Sequence, residues 1–449
     1  MLRINAQHKL WAALTAALTV AIPFAQVVAQ DLPSRGRVVP QLSAFDQLMQ
    51  DTMADNGITA GVLAVGFDAR VAYVRSFGWD DRDRTTPLPV NAKMRLASVS
   101  KPITATIVRR LIAEGQLSLS DKAFDVGQPG GGILQLDPFP SLGAPRIGDI
   151  TIANLLMHRA GWNRDIVGNH AFREIQIASE MGVPSPPGRV NMMRWVLGQP
   201  LQFTPGSQYA YANLGYSTLG LIIEEVTGNT YNEEVDRLFT DLGYPGLVEI
   251  GRTFAADQEP LEPWYDQEDI GVGPNVFDPT GPFVRWPYGG WHHEGASSMG
   301  GLIAPAEPLL ALADAAILFG TSSGVPLSSS VPPSFFSAHS GSLPGTDTVV
   351  WQRGQTLRVA VLFNHRDQTF QNAWGVNVAA EIDRMFLAGE IAEPPCPADL
   401  DADGRLTIFD FLAFQTRFDA GSLETDYDGD GSLTIFDFLA FQNAFDTGC

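Results

Sequence analysis

The chain has 449 residues, a hydrophobic share of 45% and a formal charge of −21 at neutral pH. That length and apolar content allow a sizeable buried core and argue against global disorder. The acidic balance argues against nucleic acid, whose phosphates need basic patches, and against electrostatic docking on an anionic membrane.

In chain order, residues 1–29 read as an export signal: Arg3 and Lys9 supply a positive start, 10–20 is an apolar run too short to span a bilayer, and Val27-Val28-Ala29 offers a cleavage site, with Ala25 as a second. An uncleaved anchor is the alternative. Export predicts a protein that is secreted, periplasmic or attached to the cell surface. A Pro- and Arg-rich lead-in covers 31–40. Leu42, Phe45, Leu48 and Met49 have helical spacing, and 60–67 and 71–77 read as two strands around a short turn. The stretch 95–317 is mostly helices and Gly/Pro-rich loops. Strand signals return at 335–339, 346–351 and 357–363, with Gly354 in the last turn, and 374–387 is a final amphipathic helix. Strands at both ends with helices between predict an α+β domain over 40–389. Its antiparallel sheet would be formed by both chain ends, with helices on both faces and a helical insertion. A proline-rich linker follows at 390–395, and a separate acidic module at 396–449.

Three short motifs carry candidate chemistry. Ser98-Val99-Ser100-Lys101 opens a segment whose Ile103, Ile107, Leu111 and Ile112 form one apolar helical face. Ser98 therefore sits near a helix N-terminus, with Lys101 one turn above it. A serine hydroxyl is a weak nucleophile that needs a base within reach, and a desolvated lysine supplies one. The motif alone is weak evidence, because a capping serine and a solvated lysine give the same letters. Tyr211-Ala212-Asn213 adds a phenol able to move protons and an amide able to grip a carbonyl. His339-Ser340-Gly341-Ser342 stands at the end of a predicted strand, where an acyl group can pair with the edge. There the N–H of Ser342 can join that of Ser98 in holding an oxyanion.

Together these segments resemble the family of class C β-lactamases, DD-carboxypeptidases (penicillin-binding proteins), D-aminopeptidases and related esterases. The resemblance runs from about residue 45 to 387. It also rests on 150–162 (ITIANLLMHRAGW), on 219–228 (LGLIIEEVTG) and on Ser298-Met299-Gly300-Gly301-Leu302. It implies Ser98 as acylated nucleophile, and Lys101 and Tyr211 as coupled general base and acid. Asn213, His339, Gly341 and Ser342 would bind substrate. Most β-lactamases and carboxypeptidases of the family carry lysine where His339 stands, and a neutral histidine attracts a carboxylate less. The expectation is therefore a serine hydrolase acting on an ester, amide or peptide with no catalytic cofactor. The rivals are a class C-type β-lactamase and a non-catalytic receptor. Specificity is expected in loops 127–146 and 253–295. Trp291-His292-His293-Glu294 is read as a site-lining or surface loop rather than zinc chemistry, and His158 as a packed structural histidine.

The tail contains a duplication, since residues 406–415 recur unchanged at 433–442. Eleven acidic residues against two arginines give 396–449 a charge of −9. Asp399, Asp401, Asp403, Gly404 and Asp410 fall at positions 1, 3, 5, 6 and 12 of a calcium loop, as do Asp426, Asp428, Asp430, Gly431 and Asp437. Arg405 and Ser432 at position 7 would offer backbone carbonyls. A loop followed by a helix, twice, resembles type I dockerins. That implies a small all-α module with two Ca²⁺ ions and a cohesin-like or surface scaffold partner. The chain's two cysteines, Cys396 and Cys449, bracket the module, and export would let them pair as a disulfide.

Overall fold

The computed structural model describes residues 32–448 except 69, 266–270, 328–331, 333, 392, 395 and 402–404. The expected export signal, Asp403, Gly404 and Cys449 therefore lie outside the described residues.

The segment Ala60–Phe67 is buried along its whole length, which is why its sequence is a continuous apolar run and not an alternating one. It lies near the middle of a six-stranded antiparallel sheet. The strand order is Ser34–Arg35, Arg70–Gly78, Ala60–Phe67, Leu357–Phe363, Thr346–Arg353, Phe336–Leu343. The two chain ends meet where Ala60–Phe67 pairs with Leu357–Phe363. Successive side chains take opposite faces. Leu63, Val65, Val359, Val361 and Phe363 face helices Ser43–Asn56 and Trp374–Leu387. Val62, Ala64, Ala360 and Leu362 face the larger helical body, which contains Ser100–Ala113 and Asn213–Thr227. At about 25 cal/mol per Å² of apolar surface, this two-sided burial is what chiefly holds the sheet in place.

Two boundaries differ from the sequence reading. The lead-in at 31–40 is part of the sheet: Ser34 pairs with Phe77 and Arg35 with Ser76. A strand of two residues carries no periodicity to read. The expected linker is also packed down. Ile391 is buried in the core under Ser43–Asn56, and Arg70 reaches Glu393 at 2.7 Å.

The repeat forms two like helices, Ile408–Asp419 and Ile435–Thr447. Each is opened by a reciprocal cap, Thr407 with Asp410 and Thr434 with Asp437. Phe414 and Phe441 stack at 4.6 Å between ring centroids and form the small core with Ala398 and Leu400. The module lies against the backbone just past the edge strand. Gly36 N donates to Gly429 O at 3.2 Å, and the Arg37 guanidinium sits 5.4 Å from the centre of the Tyr427 ring.

Candidate active site and acidic loops

A short three-stranded sheet (Met94–Arg95, Leu302–Ala304, Glu249–Ile250) brings the chain up to the nucleophile candidate. Ala97 then turns with φ +47°, a conformation costly for a residue with a Cβ. The strained turn delivers Ser98 half-buried, immediately before helix Ser100–Ala113. Lys101, in the first turn, is fully buried. Its Nζ lies 3.0 Å from Ser98 Oγ and donates to Met299 O at 2.5 Å. The Tyr211 hydroxyl donates to Ser98 Oγ at 2.8 Å. Groups from residues 101 and 211 thus converge on the one side-chain oxygen of Ser98.

Burial, and secondarily the Arg164 charge, holds the Lys101 ammonium well below its ordinary pKa. Burial pushes the Tyr211 phenol up. These directions favour the uncharged amine and the uncharged phenol, and in that state the protons have an ordered path. Tyr211 gives its proton toward Ser98 Oγ, so the Ser98 hydrogen points to the free lone pair of Lys101. The Met299 carbonyl fixes the amine in that orientation. The block at 298–302 therefore has a role that its letters alone did not disclose.

His158 is more than packing. Its ring lies 4.5 Å from that of Tyr211, tilted 30°, and its Nδ1 accepts from Ala212 N at 3.3 Å. Burial, with the Lys101 charge next, drives its pKa down to about 3, so it stays neutral behind the phenol. Arg164 stacks on the Tyr211 ring at 4.5 Å and also escaped the sequence reading, which offered no motif for it.

The strand Phe336–Leu343 is longer than expected, so His339 to Ser342 lies within it and not at its end. Gly341 pairs with Thr348, whose hydroxyl donates to Leu96 O at 2.8 Å. A Cβ on Gly341 would stand 2.3 Å from Leu96 O and 2.9 Å from Ser98 N. Only glycine lets the strand come this close to the nucleophile's backbone. His339 is buried, and burial, followed by the Lys101 charge, pushes its pKa down to about 3. Its Nδ1 lies 3.0 Å from Ser340 O, which fixes Nδ1 as the protonated nitrogen.

Ser98 stands between two lobes of a cleft. One, of about 460 Å³, is lined by Tyr211, His339, Ser340 and Phe319. The other, of about 420 Å³, is lined by Asn213, Phe172, Trp286, Trp291 and Arg366. Arg164, Ser342 and Phe370 border both. Loop 253–295 contributes, as expected, but no residue of 127–146 lines either lobe; 164–172 and 366–370 take that place. His292 and His293 sit in a turn, not on a strand, with His293 buried and His292 3.7 Å from Glu294.

In the tail, carboxylate oxygens of Asp399, Asp401 and Asp410 lie within 4.8 Å of one another, as do those of Asp426, Asp428 and Asp430. The donors are hard oxygens, suited to calcium. Asp426 Oδ1 is buried without a hydrogen-bond partner. Such an orphan fits a site shaped for a cation. Asp437 is not in the second cluster: it accepts the N–H groups of Tyr427 and Thr434 instead. Ile408, Phe409, Ile435 and Phe436 are each more than 60% exposed, so the aromatic stripes divide between core and surface.

Among the described residues no helix is long and apolar enough to cross a membrane. The chain is 31% identical over 182 residues to the serogroup D FimD protein of Dichelobacter nodosus, covering 40% of this chain and 41% of that one. It is 27% identical over 231 residues to esterase EstB of Burkholderia gladioli, covering 49% and 54%. The chain thus spans about half the length of these curated relatives. The solved D-amino acid amidase of Ochrobactrum anthropi SV3 shares the fold, with a TM-score of 0.55 at 18% identity over 78% of this chain and 99% of that one. The family profile described as Beta-lactamase matches residues 45–378, which takes in Ser98, Lys101, Tyr211 and the strand at His339, and the chain belongs to that family.

Proposed function

We propose that the protein is an exported serine hydrolase that cleaves an ester or amide through an acyl-serine intermediate. The observation that carries this is the meeting of Lys101 Nζ and the Tyr211 hydroxyl at Ser98 Oγ, 3.0 and 2.8 Å away. Lys101 takes the Ser98 proton as Oγ attacks the carbonyl carbon. The oxyanion is received by the N–H groups of Ser98 and Ser342. Tyr211 passes its proton to the departing oxygen or nitrogen, and regains one from Lys101. Water then enters, loses a proton to the same pair, and releases the acid from Ser98.

Esterase or amidase action is favoured over β-lactam hydrolysis because His339 is neutral and supplies no cation at the position where a lysine would grip a carboxylate. The esterase and amidase relatives point the same way. A fluorophosphonate probe should label the wild type and leave Ser98→Ala unlabelled. A panel of p-nitrophenyl esters, D-amino-acid amides, muropeptide fragments and nitrocefin then ranks the substrates. Preferential nitrocefin turnover would favour the β-lactamase reading, and no acylation by any of them would favour a receptor.

The tail completes the proposal as a dockerin-like anchor closed by a Cys396–Cys449 disulfide. Asp399, Asp401, Asp403 and Asp410 would hold one Ca²⁺ with the Arg405 carbonyl. Asp426, Asp428 and Asp430 would hold the second, with the Ser432 carbonyl and Asp437. Calcium supplies the charge that lets these carboxylates sit together. The exposed Ile408, Phe409, Ile435 and Phe436 offer an apolar face to a cohesin-like or surface scaffold protein. Retention at the cell surface, lost on deleting 396–449, tests that part.

A further inference from the structure

The two lobes of the cleft share Arg164, and one of them has a second arginine, Arg366. Tyr211 protonates the leaving group and lines the His339 lobe, so the leaving group departs on that side. The acyl group then extends into the lobe of Asn213, and that lobe has two arginines on its wall, Arg164 and Arg366. Neither is neutralised by an ion pair of close geometry among the described residues. The nearest carboxylate to Arg164 is Asp165 at 4.0 Å, itself largely in solvent. The Arg164 guanidinium donates no hydrogen bond to a described residue. Arg366 is half-buried, stacks on the Phe370 ring at 4.4 Å, and has a buried Nε without a partner. The acid whose charge acts on it, Asp347, accepts the Trp374 N–H at 2.8 Å and is pushed up to about 7 by its burial. Burial lowers Arg366 only to about 10, which leaves it a cation at neutral pH. One exposed and one half-buried guanidinium bordering the same lobe can together receive a carboxylate. Trp286 and Trp291 give the same lobe apolar walls, which suits a short methylene chain between the scissile carbonyl and the anion.

We propose that this lobe is an acyl subsite for an anionic group, and that the preferred substrates are half-esters or half-amides of short dicarboxylic acids, the free carboxylate held by Arg164 and Arg366. This rests on acylation at Ser98. It assigns to two residues the anion recognition that His339 does not provide, and places it on the acyl side of the scissile bond.

The test compares mono-p-nitrophenyl glutarate with p-nitrophenyl valerate, esters of matched chain length that differ in the terminal charge. The readout is the ratio of their kcat/KM values, so that any shared effect on the chemistry cancels. The wild type is expected to favour the glutarate by about tenfold or more at low salt, the scale of one charge-assisted contact. Arg366→Ala and Arg164→Ala should each reduce the ratio by about tenfold, with Arg366→Lys keeping part of it. A wild-type ratio near one, or a ratio unmoved by both alanine variants, overturns the proposal. Calorimetric titration of Ser98→Ala with the same two esters reads the subsite without turnover. Tighter binding of the glutarate supports it, and equal binding overturns it. If the wild type hydrolyses neither ester and no probe labels Ser98, the hydrolase reading fails separately, and the titration still decides whether the lobe binds an anion.

Discussion

The cleft around Ser98 and the acidic loops of the tail solve opposite electrostatic problems. At Ser98 the fold gathers groups from residues 98, 101, 211 and 299, and burial favours the uncharged forms of an amine and a phenol. In each tail loop the acidic residues come from a dozen consecutive positions, and their like charges are held close together. The first site is ordered by packing and carries its chemistry without added charge. The second is locally encoded, and calcium is the completion we propose for it. Tertiary packing can therefore create reactivity from groups that are inert in water, whereas a loop of adjacent carboxylates concentrates charge by sequence alone.

The comparison breaks most sharply at the nucleophile. Ser98→Ala is expected to lower kcat by about a thousandfold or more, read with whichever ester the panel selects, while the melting temperature stays close to wild type. Tyr211→Phe keeps the ring on His158 and removes only the hydroxyl. It should cost about a hundredfold or more in kcat, most with poor leaving groups. Gly341→Ala tests packing as the source of order. Its Cβ would press on Leu96 O and Ser98 N, so kcat should fall by about a hundredfold with the catalytic groups all present. A wild-type rate in that variant would mean that the strand does not set the nucleophile's position.

Acid sharpens the contrast more gently. His158 and His339 are held down to about 3 in the fold and return to about 6.5 when unfolded. Between those values the unfolded chain binds more protons, so stability falls as pH drops from 6.5 toward 3. The slope is up to about 1.4 kcal/mol per pH unit for each group. Urea midpoints at about pH 7 and about pH 5, on either side of the unfolded histidine pKa, measure it, and His339→Gln should remove part of the slope. The smallest effect on turnover is expected from calcium. Chelation should leave ester hydrolysis within about twofold, while making the tail cleavable by protease and lowering the helical signal. Loss of hydrolysis in step with loss of calcium would erase the distinction between the two regions.

Much of this was legible before folding. The run at 60–67 declared a strand, and the spacing of Ser98 and Lys101 declared one helical turn. The tail's duplication, being local, was legible outright and returns as two helices with like caps. What could not be read is what only three-dimensional proximity creates. Arg164 and Arg366 are ordinary arginines until the chain brings them to one wall. Residues 34–35 have no pattern until Phe77 and Ser76 supply a partner. The loop 127–146 was expected to carry specificity, but its letters hold no legible code for where it packs, and it lines neither lobe.

The six-stranded sheet has two edges. Along Phe336–Leu343 the open side faces the cleft. At the far side the last strand is two residues long, and the backbone beyond it is tied to the tail through Gly36 with Gly429 and Val38 with Leu423. Were the chain cut before residue 396, the amides of Gly36 and Val38 would lose these acceptors, and that rim would become a template for another molecule's strand. By accepting those two N–H groups, the tail covers a rim that edge chemistry would otherwise leave open to pairing.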